Sequence, residues 1–241
     1  MPAIAPREAA RRMTHACVGL LALGLRWLPW PAAIACCFGG ILLNFVLLPR
    51  VAPQIFRPGE TRFIGVRAYP LAVLLLVVLF PLRAAAGAWA VLALGDAMAA
   101  LVGRTWGSSK LPWNRDKSWQ GLAAFLVFGA CSGAIAYAFV EARPERTFGF
   151  FGEIYAFLDS RPWMSETVPA AASAAVAAAD AARNIGFVFR PEVGIAAVAA
   201  AACAAFAESI AVRIDDNFRT AITAGVIFTL LDPLAASYGA A

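Results

Sequence analysis

The stretch Leu92-Ala93-Leu94-Gly95-Asp96-Ala97-Met98-Ala99-Ala100-Leu101-Val102-Gly103-Arg104 is apolar enough for a lipid bilayer, yet it carries a carboxylate in its middle. Its surroundings share that apolar character. Of the 241 residues, 61% are hydrophobic and 15% charged, and the mean hydropathy is +0.72, well outside the usual composition of a soluble domain. A helical span needs about 20 apolar residues, with a range of about 17 to 25. Residues 16–28, 31–48, 68–82, 84–102, 119–140, 193–212 and 220–238 are the seven candidate spans, the first and third of them short. The expected fold is therefore all-α, a polytopic transmembrane helical bundle forming one integral membrane domain over residues 1–241.

Within that bundle the central carboxylate is costly. An Asp inside a span is disfavoured by about 2.5 to 3.5 kcal/mol, so such a residue faces a cavity or a charged partner. Gly95, Ala99, Gly103 and Gly107 recur every four residues, a ridge along one helix face that lets a neighbouring backbone approach closely. Helix packing accounts for the ridge; it does not account for Asp96, which is read as functional, with a structural ion pair to an arginine as the alternative.

The start of the chain resembles a secretory signal, since Arg7, Arg11 and Arg12 precede an apolar run that reaches Ala33-Ile34-Ala35-Cys36. Arg26 and the turn Pro29-Trp30-Pro31 interrupt that run, which reads better as a hairpin of two helices. The five cysteines lie in apolar spans without CxxC spacing, which supports neither a disulfide framework nor a zinc site. A single histidine, His15, excludes HExxH chemistry. The net charge of +5 does not call for a nucleic-acid partner, because most basic residues flank spans.

Three segments carry most of the positive charge: the N-terminus, the loop with Arg50, Arg57, Arg62 and Arg67, and the loop with Arg104, Lys110, Arg115 and Lys117. Alternate crossings place all three on one face, cytoplasmic by the positive-inside rule. Residues 168–182 are mostly alanine, and at 1.5 Å per residue they rise only about 22 Å against a hydrocarbon core of about 30 Å. They are expected to form an interfacial or protein-packed helix. On that count Asp215, Asp216 and Asn217 share the face of the basic loop.

That loop, residues 103–121, offers four cations, three serines, one threonine and several glycines. These are phosphate-binding groups: arginine for bidentate contacts, lysine as a point charge, hydroxyls and backbone N–H groups as donors. Of the 20 cations in the chain 18 are arginine, and both lysines, Lys110 and Lys117, fall here. Random placement would do this roughly 3% of the time, which points to a demand for an ammonium at these positions. Asp116 before Lys117-Ser118 rules out GxxxxGK[ST], and no GxGxxG is present. Further on, Glu208, Asp215, Asp216 and Asn217 form an all-oxygen set suited to magnesium, or else a hydrated turn.

Together these residues resemble the dolichol kinase and phytol kinase family, CTP-dependent membrane kinases of lipid alcohols related to phosphatidate cytidylyltransferases. The resemblance runs through Leu94-Gly95-Asp96-Ala97, Ala99-Ala100, Val102-Gly103-Arg104, the step from Gly107 to Lys110, Lys117-Ser118 with Gly121, and Glu208 with Asp215-Asp216-Asn217. His15 behind Arg11 and Arg12 is similar to the family's basic start to its first helix. Against the family, residues 141–192 are an insertion. The resemblance implies CTP as phosphoryl donor, a divalent cation such as Mg2+, and a long isoprenoid alcohol or diacylglycerol as acceptor, in the cytoplasmic membrane of a bacterium with the site facing the cytoplasm. In this scheme Arg104, Lys110 and Lys117 clamp phosphates, assisted by Ser118 and by backbone N–H groups near Gly103, Gly107 and Gly121. Asp96 binds the metal or accepts the hydroxyl proton, and Glu208, Asp216 and Asn217 complete the metal shell. Synthesis of a CDP-lipid, transport of a lipid or solute, and a purely structural membrane subunit are the alternatives.

Overall fold

Proline, glycine and arginine set the helix boundaries. The computed structural model describes residues 6–51, 67–141 and 191–231, with side chains from Arg12 onward. The expectations for Arg57, Arg62, the alanine-rich helix at 168–182, the rest of the insertion and the end of the last span lie outside the described residues. Helix α1 (Pro6–Gly19) tightens into a 3-10 turn over Leu20–Arg26. Pro29 then stops the chain and caps α2, Trp30–Leu42, which continues through a π-helical turn to Val51, with Pro31 in its first turn. The break falls at Pro29 as expected, but α2 packs on the following helix, Ala68–Leu79, rather than back on the first, so the two do not form a packed hairpin. α3 is Ala68–Leu79, and Pro81 precedes α4, which runs from Leu82 to Trp106 with a π-helical turn at Val91–Gly95 just before Asp96. α5 (Trp119–Glu141), α6 (Pro191–Ser209) and α7 (Asp216–Leu230) complete the described chain.

The result is all-helical among the described residues, with four helices long and apolar enough to cross a membrane: Trp30–Val51, Leu82–Trp106, Trp119–Glu141 and Pro191–Ser209. Ala68–Leu79 is a shorter apolar helix. The core is built on small residues. Ala196, Ala197, Ala200, Ala201, Ala204 and Ala205 are buried on α6, and a β-carbon placed on Gly129 of α5 would lie 3.5 Å from that of Ala201. With little hydrophobic drive between helices in lipid, such close approach is what holds them. Gly87 and Gly133 make room for Phe228 of α7 in the same way, and Phe228 stacks on Tyr137 with ring centroids 5.3 Å apart.

Direction follows from two contacts. Gly129 meets Ala201 in mid-helix, while the loop before α5 meets the last residue of α6 through Asn114 and Ser209. α5 and α6 are therefore antiparallel, and Glu141 and Pro191 lie at the end remote from that loop. At this remote end Arg26 donates to Phe139 O at 2.5 Å and its guanidinium lies 4.7 Å from the Phe139 ring. Arg83 donates to the Tyr137 hydroxyl at 3.2 Å. At the other end Trp106, Trp113 and Trp119 are exposed, so each end carries the aromatic and basic residues of a bilayer boundary.

Candidate active site

The crossing of α4 and α5 sets the site. A β-carbon at Gly95 would lie 2.9 Å from Phe125 Cζ, and one at Gly121 would lie 2.9 Å from Ala99 O. The ridge does pack a neighbouring backbone, with one correction: Gly107 lies past the end of α4 and is not part of its face. There the chain turns so tightly that a β-carbon would sit 2.0 Å from Gly103 O. The same crossing seats Ser118. Its Oγ would be 2.5 Å from a β-carbon at Gly107, 3.2 Å from one at Gly103 and 3.3 Å from one at Gly121. Ser118 is buried and its Oγ accepts the Gly121 N–H at 3.2 Å, making it the N-cap of α5. The Gly121 N–H, expected to face a phosphate, is thus occupied by the cap.

Between the two helices the loop folds back on itself. Trp119 N–H donates to Ser109 O at 2.9 Å, Leu111 N–H to Lys117 O at 3.1 Å and Lys117 N–H to Asn114 O at 3.1 Å. Leu111 is buried as its plug. The far side is latched to the end of α6, where Trp113 Nε1 donates to Ser209 Oγ at 3.0 Å and Asn114 Nδ2 to Ser209 O at 2.9 Å. This latch delivers Lys117 Nζ to within 2.5 Å of Glu208 Oε1 and 3.6 Å of Asp216 Oδ2. Burial works against the Lys117 ammonium, but the carboxylate of Glu208, then those of Asp216 and Asp96, outweigh it and hold Lys117 above the ordinary lysine range.

Asp96 follows the π-helical turn, a feature that recurs at functional positions. Its Oδ2 lies 2.5 Å from Arg12 Nη1. Arg12 comes from α1, which is held against α4 so closely that a β-carbon at Gly19 would lie 2.3 Å from that of Ala93. The arginine pairing weighed for Asp96 is therefore present.

These groups open onto one cavity of about 560 Å³. Of the residues singled out from sequence, Asp96, Arg104, Lys110, Lys117, Ser118 and Glu208 line it, with Gly103, Gly107, Gly121 and Arg12. Its inner wall is apolar, formed by Phe125, Leu122, Ala99 and Ala205. Asp216 reaches the site through Lys117 and also pairs with Arg219. Asp215 and Asn217 do not line the cavity. Asp215 caps α7, its Oδ1 accepting from the Asn217 N–H at 2.9 Å and from Asn217 Nδ2 at 2.7 Å. His15 packs on Tyr69 at 4.1 Å between ring centroids, outside the cavity lining. The expected shell of Asp96, Glu208, Asp216 and Asn217 does not assemble as such. Its carboxylates are paired with Arg12, Lys117 and Arg219, its amide with a cap. Among the described residues no three His, Cys, Asp or Glu side chains form a metal-holding group.

Arg12 as the partner of Asp96, the Trp113 and Asn114 latch on Ser209, and Phe125 beneath the site were not legible as such. Each joins residues far apart in the chain, with no local pattern to announce it.

The chain is 36% identical over 139 residues to a phytol kinase of Synechocystis sp., an alignment covering 52% of this chain and 58% of that protein. The aligned stretch thus spans little more than half of that relative's length. No protein-family profile and no solved structure matches the chain.

Proposed function

We propose that the chain is a kinase of a membrane-lipid alcohol, transferring the γ-phosphoryl group of CTP to a polyprenol-, dolichol- or phytol-type hydroxyl at the cytoplasmic boundary of the membrane. The observation that carries this reading is the cavity, which joins a cationic rim of Arg104, Lys110 and Lys117 to an apolar wall within the bundle. A nucleotide polyphosphate and a lipid chain need those two surfaces side by side. Similarity to a phytol kinase supports the same class of acceptor.

Phosphoryl transfer asks for in-line positioning and for cancellation of charge on the phosphate oxygens more than for covalent help. Lys110 and Arg104 stand at the rim as phosphate ligands. Lys117 remains an ammonium at neutral pH and bridges the loop to Glu208, so its placement does not depend on the loop alone. The capped N-terminus of α5 adds a fixed positive potential beside them. Magnesium is commonly bound by one or two carboxylates plus substrate phosphates rather than by an all-protein cage. Asp96 and Glu208, the two carboxylates of the inner cavity, fit that mode, in which the ion would neutralise phosphate charge. The acceptor chain lies along Phe125, Leu122 and Ala205, with its hydroxyl toward the cations.

Purified protein in detergent should release CDP from CTP only when a lipid alcohol is supplied, and chelation of divalent cations should abolish the release. A screen of phytol, polyprenols and diacylglycerol with CTP and with ATP identifies both substrates. Lipid or solute movement without alcohol-dependent release of a nucleoside diphosphate would establish the transporter reading instead.

A further inference from the structure

The cavity has a cation that lies outside the glycine- and lysine-bearing segment. Arg12 belongs to α1, reaches the cavity from a third side, and its Nη1 is 2.5 Å from Asp96 Oδ2. Its side chain is 24% exposed and that of Asp96 17%, so the pair faces the cavity rather than solid protein. α1 is fixed by the close contact of Gly19 with Ala93, and from Gly19 back to Arg12 is about two helical turns. The backbone is therefore anchored while the long Arg12 side chain ends inside the space that receives a ligand.

On the kinase reading above, we propose that Arg12 is a phosphate-binding residue of the nucleotide site, held on Asp96 in the ligand-free protein and exchanging that carboxylate for a phosphate oxygen when nucleotide enters. The charges of the cavity favour the exchange. Asp96 and Glu208 each already hold one cation, Arg12 and Lys117. An incoming polyphosphate brings anionic oxygens that compete for both cations. Arg12, whose planar guanidinium can bind two oxygens at once, suits a phosphate better than the one-oxygen contact it makes with Asp96. Asp96, released, becomes available to the divalent cation that accompanies the nucleotide. A purely structural pair would serve only to neutralise Asp96 within the bundle, and the two roles separate once Asp96 carries no charge.

The test is equilibrium binding of non-hydrolysable β,γ-imido CTP to the full chain in detergent with divalent cations chelated, so that no metal contributes. Asp96→Asn should bind the analogue at least as tightly as wild type, because the carboxylate that competes with phosphate for Arg12 is gone. Adding Arg12→Gln to Asp96→Asn should weaken binding at least tenfold, and Arg12→Lys in the same background should recover part of it. Equal affinity of Asp96→Asn with and without Arg12→Gln would overturn the proposal and leave Arg12 as a counter-ion. Should Asp96→Asn not fold, Arg12→Lys alone, which keeps a cation opposite Asp96, is expected to bind several-fold more weakly than wild type; unchanged affinity would overturn the proposal. If wild type binds the analogue but no CTP-derived phosphate reaches any lipid alcohol, the kinase reading fails and the Arg12 result still stands or falls on its own.

Discussion

Lys117 ties the loop to two carboxylates on other helices, and its removal separates structure from chemistry. Lys117→Ala leaves Glu208, only 5% exposed, without its counter-ion. Breaking a buried pair costs about 3 to 5 kcal/mol, and with the Lys117 side chain still 34% exposed the expected loss is nearer about 2 kcal/mol. Lys117→Met with Glu208→Gln should restore most of that stability in a thermal melt while transfer activity stays lost. The sign of the pH dependence follows from the raised Lys117 pKa. Its contribution is complete below the unfolded lysine value of about 10.4 and disappears as pH rises through the higher folded value. As pH rises through that folded value in strongly alkaline buffer, wild type should therefore lose melting temperature relative to the double variant. Gly107 is the other decisive position, since Gly107→Ala puts a β-carbon 2.0 Å from Gly103 O. A loss of about 3 kcal/mol or more is expected, overpacking against backbone having no easy relief. Gly24→Ala, where nothing lies within 4 Å, should melt like wild type.

At the scale of elements, the functional segment is one helix end, one folded loop and one helix start, and the cap and the latch hold them together. Ser118→Ala removes the N-cap of a 23-residue helix and should cost about 1 kcal/mol. Because Ser118 also lines the cavity, KM for the nucleotide should rise with it. The sequence shows the ridge, the intramembrane Asp96 and the lysine-bearing loop, since all three are local patterns of size, charge and spacing. It does not show that Gly103, Gly107 and Gly121 make room for a serine cap, or that Trp113 and Asn114 close on Ser209. Such contacts depend on how α4, α5 and α6 lie against one another, which composition and periodicity do not encode. Asp215 and Asn217 illustrate the converse. As residue types they suit a metal, but one serves as the N-cap of α7 and the other bonds to it.

For the molecule as a whole, the antiparallel course of α5 and α6 brings the acidic turn beside the basic loop, at the end opposite Arg26 and Arg83. Sequence alone made that juxtaposition depend on a weakly apolar alanine segment; packing of small residues along α5 and α6 reveals it directly. In a variant lacking the native cysteines, Asp215→Cys and Ser108→Cys should therefore react with an impermeant thiol reagent from the same side of sealed vesicles, and Arg83→Cys from the other. Labelling of Asp215→Cys and Ser108→Cys from opposite sides would contradict the arrangement. The central claim is the identity of the group transferred. The most direct measurement supplies purified protein and a lipid alcohol with CTP carrying distinguishable labels at the α- and γ-phosphates, and counts both in the extracted lipid. The account predicts γ label alone in the lipid; α label there, with release of pyrophosphate, would contradict it.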